Sequence, residues 1–127
     1  MPLVKIELKE GRDMSTLLKI KELVMDAVVE SLQLPADDRN IRIMEYKPGL
    51  FSMKDPYEIL IEIMLFAGRT AETKKKLYQN IVSPLEQNDI CRPKQIFIVL
   101  NEQPRENWGV KGGIPASEIE LNFKVEI

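Results

Sequence analysis

The chain has 127 residues, with 18 lysines and arginines, 20 aspartates and glutamates, one cysteine and no histidine. This length fits one domain, residues 1–127, and the formal charge of −2 argues against nucleic acid or an anionic membrane as the main partner. Without histidine, neither a Ser-His-Asp triad nor a histidine-bearing metal site can form, so acid–base chemistry has to come from other groups.

The first elements predicted along the chain are a strand, a helix and a second strand. A strand with one buried face is indicated by the alternation of charged residues with Val4, Ile6 and Leu8. A break at residues 11–13 precedes a helix, whose inward face is formed by Leu17, Ile20, Val24, Ala27, Val28 and Ser31. Pro35 ends this helix, and residues 40–46 are predicted to form the second strand.

The same order of elements recurs in the second half. Residues 59–65 alternate as a third strand, and a break at residues 68–70 precedes a helix over residues 70–89. Pro84 lies inside this helix and is expected to kink or shorten it. Pro93 then precedes a fourth strand, residues 95–100.

The two halves align with each other at an offset of 57 residues. Identical pairs at this offset include Ile6 and Ile63, Leu8 and Leu65, Gly11 and Gly68, Arg12 and Arg69, Thr16 and Thr73, Lys19 and Lys76, Ile41 and Ile98, and Glu45 and Glu102. We therefore predict two fused β-α-β repeats within the single domain, about residues 2–56 and about residues 57–127. Their crossovers favour an α+β fold, a four-stranded sheet with two helices on one face.

The other face of this sheet is also apolar. Its outer positions include Leu3, Leu60, Met64 and Phe66. Residues 119–127 alternate strictly between apolar and polar side chains, which predicts a terminal strand that pairs with a partner edge, possibly in a neighbouring subunit. Both features favour burial between the subunits of an oligomer.

The compartment is inferred from what the sequence lacks. A single cysteine cannot form an internal disulfide, which favours a reducing environment. The N-terminus has no signal-peptide pattern, and the most apolar run, residues 59–67, is interrupted by Glu62 and too short to span a bilayer. We expect a soluble cytoplasmic protein.

Four segments carry a resemblance to a known family. Residues 1–6, 8–12 and 34–39 resemble the opening strand, the strand-to-helix junction and the helix-to-strand loop of the tautomerase superfamily, and residues 107–113 resemble the hairpin that closes its active site. The chain is most similar to the double-length members, such as malonate semialdehyde decarboxylase, and is related in pattern to 4-oxalocrotonate tautomerase. This resemblance implies a homotrimer that works without a cofactor or metal.

The resemblance assigns catalytic roles to Pro2 and Asp38. Removal of Met1 leaves the secondary amine of Pro2 as the chain terminus, and a free α-amino group has a pKa of about 7.7–8.0, suited to proton transfer at neutral pH. Asp38 matches the aspartate that orients water or the amine, although Asp37 could exchange roles with it. Alternatively, Pro2 merely opens an edge strand and Asp38 is a turn residue.

Arg69 and Trp108 are the predicted substrate-binding residues. Arg69 lies at the break after the third strand, where a guanidinium fork and helix N–H groups can bind a carboxylate, and the resemblance gives it this role. Trp108 matches an aromatic wall beside the proline. The alternatives are a solvated loop arginine and a tryptophan that anchors a subunit interface.

Three functions stay open at this point. The first is a keto–enol tautomerase acting on a small 2-oxo or enol acid, and the second is a decarboxylase or hydratase of a 3-oxo or unsaturated acid. The third is a non-enzymatic oligomeric binding protein. Ala67 and Asn40 stand where the related enzymes carry further arginines, so a small monocarboxylate is favoured over a dicarboxylate.

Overall fold

The first half of the chain forms a strand, a helix and a strand. The computed structural model describes residues 1–127 and has β1 at Leu3–Lys9, α1 at Met14–Ser31 and β2 at Ile41–Tyr46. α1 begins after Asp13, whose carboxylate accepts a hydrogen bond of 2.8 Å from the backbone N–H of Thr16 and so satisfies one free donor of the first turn.

The second half repeats this order with β3 at Ile59–Phe66, α2 at Ala71–Gln87 and β4 at Ile96–Gln103. Thr70 caps α2 as Asp13 caps α1, with its hydroxyl oxygen 3.2 Å from the N–H of Thr73. α2 continues through Pro84 for one more turn, where a proline removes only one of the last intrahelical bonds. Neither helix is long and apolar enough to cross a membrane.

The four strands form one mixed sheet in the order β2-β1-β3-β4. β1 is parallel to β2 and β3 is parallel to β4, whereas β1 and β3 run antiparallel, with Leu3 opposite Met64 and Ile6 opposite Ile61. The prediction of two fused β-α-β repeats in a four-stranded sheet is therefore confirmed. The breaks after the two inner strands, β1 and β3, also match, since Gly11 and Gly68 have φ of +136° and +139°, a region that favours glycine.

Both helices pack on one face of the sheet, as predicted, and this face holds the core. The inward positions of β1 and β3 are fully buried: Val4, Ile6, Leu8, Ile59, Ile61, Ile63 and Leu65. They contact the buried positions of the helices, which include Ile20, Val24, Val28, Leu77, Ile81 and Leu85. The period-2 and period-3.6 patterns in the sequence thus meet in a single apolar layer.

The opposite face of the sheet carries no helix. Leu3, Leu60 and Met64 are half-buried there. Three further apolar side chains on this face are more exposed: Met44, Phe97 and Val99. Apolar area of this kind on a chain of this size is typical of a surface that another subunit covers.

The prediction of a terminal strand over residues 119–127 is wrong for the single chain. A two-stranded hairpin, β5 at Gly109–Val110 and β6 at Ile114–Pro115, leads through a short turn into this segment, which has no strand of its own. Its apolar side chains pack on the end of β3 instead, and the carbonyl oxygen of Ile127 accepts from the N–H of Thr70 at 3.1 Å. The N–H of the cap residue Thr70 and the hydroxyl of Thr73 therefore hold the end of the segment in place of a sheet ladder.

Candidate active site

The start of the chain lies against the turn that precedes β2. Pro2 is buried, and the backbone N–H of Val4 donates to the carbonyl of Asn40 at 2.9 Å, which fixes this turn beside the first residues. The Met1 ammonium donates to the Asp38 carboxylate, and the Asn40 side-chain amide donates to the same oxygen at 3.0 Å. Asp37 is exposed, and Asp38 is the carboxylate that contacts the chain start.

The antiparallel pairing of β1 with β3 brings the chain start to the end of β3. Because Leu3 lies opposite Met64, Pro2 lies beside the last residues of β3, close in register to Phe66. Arg69 follows Phe66 by three positions, at the break that leads into α2. Pro2, Asp38 and Arg69 therefore belong to the same end of the sheet.

Arg69 is the one buried charged side chain, with 5% of its surface exposed. Its Nη1 donates to the carbonyl of Phe66 at 3.1 Å, whereas Nε and Nη2 are buried and have no acceptor on the chain. Burial lowers the pKa of the Arg69 guanidinium, and the Glu102 carboxylate opposes this shift in part. Nε and Nη2 form one edge of the guanidinium, so the free donors are arranged for a bidentate carboxylate.

Trp108 packs against the end of β3. Its ring meets Phe66 edge-on, with centroids 5.0 Å apart and an interplanar angle of 77°. Its indole N–H is buried without an acceptor, while its backbone carbonyl accepts from the N–H of Ala116 at 2.8 Å. Trp108 therefore supplies an apolar wall beside the end of β3 and one buried hydrogen-bond donor.

A cavity of about 450 Å³ opens at this end of the sheet. Met1, Asp38 and Lys111 line it, and residues 119–123 of the C-terminal segment complete its wall. Phe123 lines this cavity, and its ring centroid lies 6.0 Å from Cζ of Arg69. The cavity therefore joins the chain start to the buried arginine through a single aromatic ring.

The structure brings the four predicted site residues to one region but in two pairs. Pro2 and Asp38 lie at the start of β1, and Arg69 and Trp108 lie around Phe66. No group of three or more acidic or cysteine side chains is arranged to hold a metal ion. Arg12, the repeat equivalent of Arg69, is turned to another partner, the carboxylate of Glu58 at 3.8 Å.

Sequence reasoning missed two aromatic residues of the site. Phe66 lies on the outer sheet face, as predicted, but the sequence does not show that Trp108 and Phe123 of the same chain bury it there. Phe123 was assigned to a terminal strand, and its only signal in the sequence is its apolar position in the alternation. Arg105 was also missed; its Nη2 donates to the carbonyls of Ala116 and Ile119, both at 2.8 Å.

A double β-α-β sheet with two helices on one face, and with the chain start at the end that carries Arg69, defines the tautomerase fold. A family model described as tautomerase enzyme matches residues 38–111. The probable tautomerase YusQ of Bacillus subtilis (strain 168) is 30% identical over 122 residues, which cover 89% of this chain and 95% of that protein. The chain belongs to the tautomerase family.

Solved structures agree with this assignment. FG41 malonate semialdehyde decarboxylase, inhibited by 3-bromopropiolate, has a TM-score of 0.82 and 25% identity, with 94% of this chain and 98% of that chain covered. A wild-type fused 4-OT described as a symmetric trimer has a TM-score of 0.81 and 23% identity, with 91% and 96% covered.

Proposed function

We propose that the protein is a cofactor-independent keto–enol tautomerase acting on a small 2-oxo or enol acid, with the N-terminal amine of Pro2 as the proton carrier. The proposal rests on one observation: the chain start, a carboxylate and a buried arginine lie together at one end of the sheet. The chain start contacts Asp38 there, beside a buried arginine whose bidentate edge has no acceptor on the chain.

Arg69 is the proposed carboxylate-binding residue. A buried guanidinium with two unused donors gains most from an anion that accepts both of them, because each unpaired buried donor is costly. A carboxylate satisfies both donors at once and adds the opposite charge. Ala67 offers no second arginine at this break, which supports a ligand with one carboxylate.

Pro2 is the proposed catalytic base, and this role requires removal of Met1, since an amide nitrogen carries no usable lone pair. The neutral amine takes the proton of the enol hydroxyl, the O–H electrons form the C=O bond, and the C=C electrons take a proton at carbon from the ammonium just formed. The step is a net isomerisation with no other reactant. Asp38, which accepts from the Met1 ammonium in the chain that retains Met1, is the proposed partner of the Pro2 ammonium once Met1 is removed.

Trp108 is the proposed wall of the reacting space. Its ring packs on Phe66, next to the arginine that would hold the acid. An apolar wall excludes water and so strengthens the electrostatic interactions between the acid, the amine and the arginine. Its free indole N–H can also donate to an oxygen of the bound acid.

The second candidate is decarboxylation of a 3-oxo acid or hydration of an unsaturated acid, and the position of Asp38 favours it. A carboxylate that faces the chain start can activate water while a protonated Pro2 acts as the acid. The two reactions differ in pH dependence: a base mechanism gains rate as the amine loses its proton, and an acid mechanism loses it.

We also propose that the protein works as a homotrimer. The uncovered sheet face carries Leu3, Leu60, Met64, Phe97 and Val99, and three sheets that meet around an axis would bury it. The fused 4-OT that shares this fold is described as a trimer. Light scattering is expected to return three times the chain mass of 14.6 kDa; a monomer would refute the trimer.

The test of function first establishes whether Met1 has been removed and then measures turnover of the processed protein. Intact mass identifies the protein that lacks Met1, and this form is assayed against enolisable 2-oxo acids and 3-oxo acids. Pro2→Ala is expected to reduce turnover by about 10²-fold or more. Pro93→Ala, which changes a proline at the opposite end of the sheet, is the matched control and is expected to keep full activity.

Two results would contradict the proposal. Turnover unchanged by Pro2→Ala would exclude the amine as the proton carrier. A protein made without any upstream tag that keeps Met1 and turns over no acid would favour the non-enzymatic binding protein.

A further inference from the structure

The C-terminal segment, residues 119–127, crosses the Arg69 end of the sheet and is held mainly at its two ends. At the near end, Nη2 of Arg105 donates to the carbonyls of Ala116 and Ile119, both at 2.8 Å. At the far end, the carbonyl of Ile127 accepts from the Thr73 hydroxyl at 2.8 Å. Between these ends the segment has no sheet ladder.

The middle of the segment is held by side-chain packing alone. The Phe123 ring stacks on Phe66 with centroids 6.4 Å apart and an interplanar angle of 4°. Val125 packs on the glycine break before Arg69: a Cβ at Gly68 would lie 2.9 Å from Val125 Cγ1. Between the hydrogen-bonded ends, these apolar contacts hold the segment against the end of β3.

Closure has an unfavourable consequence for the groups underneath. Nε and Nη2 of Arg69 and the indole N–H of Trp108 are all buried without acceptors while the segment is in place. The face of the Phe123 ring gives Arg69 a cation–π contact, which replaces a hydrogen bond only in part. An acid that reaches Arg69 satisfies the two donors that the closed segment leaves unpaired.

We propose that the C-terminal segment is a gate over Arg69 and that Phe123 is its specificity-determining residue. Phe123 lines the 450 Å³ cavity on one side and contacts Arg69 with its ring, so an acid from the cavity reaches the arginine when this ring moves. Small, narrow carboxylates need the smallest displacement and are admitted first. The inference relies on the proposed function only in taking a carboxylate as the ligand of Arg69.

The test measures binding of an inert acid, so no turnover is needed. Butanoate is titrated into the Met1-free protein, and the fluorescence of Trp108, the only tryptophan, reports on the site. Phe123→Leu removes the ring that faces Arg69 but keeps an apolar side chain. Val125→Ala weakens the packing of the segment on Gly68, away from the Arg69 guanidinium. Phe51→Leu is the matched control, since Phe51 is a buried phenylalanine that packs on Tyr46.

Both gate variants are expected to bind butanoate more tightly, by about three- to ten-fold, because a ligand of a minor open state gains affinity when the closed state is weakened. Phe51→Leu is expected to bind as the unmodified protein does. In an active preparation both variants are expected to lower KM.

Other outcomes overturn the gate. Weaker binding in Phe123→Leu with no change in Val125→Ala would make Phe123 a wall that touches the ligand. Unchanged binding in both variants would show that closure has no influence on access. Binding that is lost in Arg69→Met alone preserves the carboxylate role of Arg69 whatever the gate variants do, whereas no binding in any form would refute both proposals.

Discussion

Replacing Arg69 by methionine should separate stability from activity. The side chain is 5% exposed, and two of its three nitrogens have no hydrogen-bond acceptor on the chain. Methionine fills a similar volume, keeps the contact with Phe123 and carries no N–H group. We expect Arg69→Met to be at least as stable as the unmodified protein and to lose most of its activity.

The magnitudes follow from the contacts. Removing two unpaired buried donors relieves about 1–3 kcal/mol each, while the lost charged hydrogen bond to the Phe66 carbonyl costs about 1.5–3 kcal/mol. The net effect on the free energy of unfolding is a gain of about 1–3 kcal/mol. A bidentate carboxylate loses two charged hydrogen bonds, about 3–6 kcal/mol together, so kcat/KM should fall by about 10²- to 10⁴-fold.

The assay pairs urea denaturation with steady-state kinetics, at one protein concentration because association contributes to stability. Arg12→Met is the control, since Arg12 occupies the equivalent position in the first repeat and pairs with Glu58, which is more than half exposed. This variant should lose at most about 1 kcal/mol and keep its activity. A destabilisation by Arg69→Met with kcat/KM intact would refute the reasoning, because it would make Arg69 a structural residue.

Three further predictions concern single side chains. Asp38→Asn should reduce kcat more than Asp37→Asn, because Asp38 is the carboxylate that contacts the chain start; equal effects in steady-state assays would contradict this. Hydrogen bonds from Thr16 lower the pKa of Asp13 in the folded protein. The ionised Asp13 therefore stabilises the fold fully above the ordinary aspartate pKa of about 3.9, and this stabilisation is lost as the pH falls through the lower pKa of the folded state. The melting temperature of Asp13→Asn should therefore fall less than that of the unmodified protein on acidification from about pH 5 to 3; an equal fall would contradict this. Burial raises the pKa of the Cys91 thiol, so alkylation by iodoacetamide at neutral pH should be slow in the folded protein and fast in urea; a fast reaction in both would refute it.

The sequence by itself determined the repeated architecture, because the signals for it are local. The strand alternation of Ile6 and Ile63 fixes which side faces the helices. The paired glycines at Gly11 and Gly68 mark where each crossover begins, since both require a left-handed φ. The sequence also placed Arg69 at the break after the third strand, but the antiparallel pairing of β1 with β3, which brings this break to the chain start, is known only from the structure.

Only the tertiary structure decided which side chains meet at that end. The sequence could not choose between Asp37 and Asp38, since the choice depends on how one turn meets the chain start. The sequence also predicted a strand for residues 119–127. An alternating pattern shows which side chains are apolar, but it does not show which surface buries them. The segment folds onto Phe66 and ends against the cap of α2 at Thr70, and this non-local packing places Phe123 against Arg69.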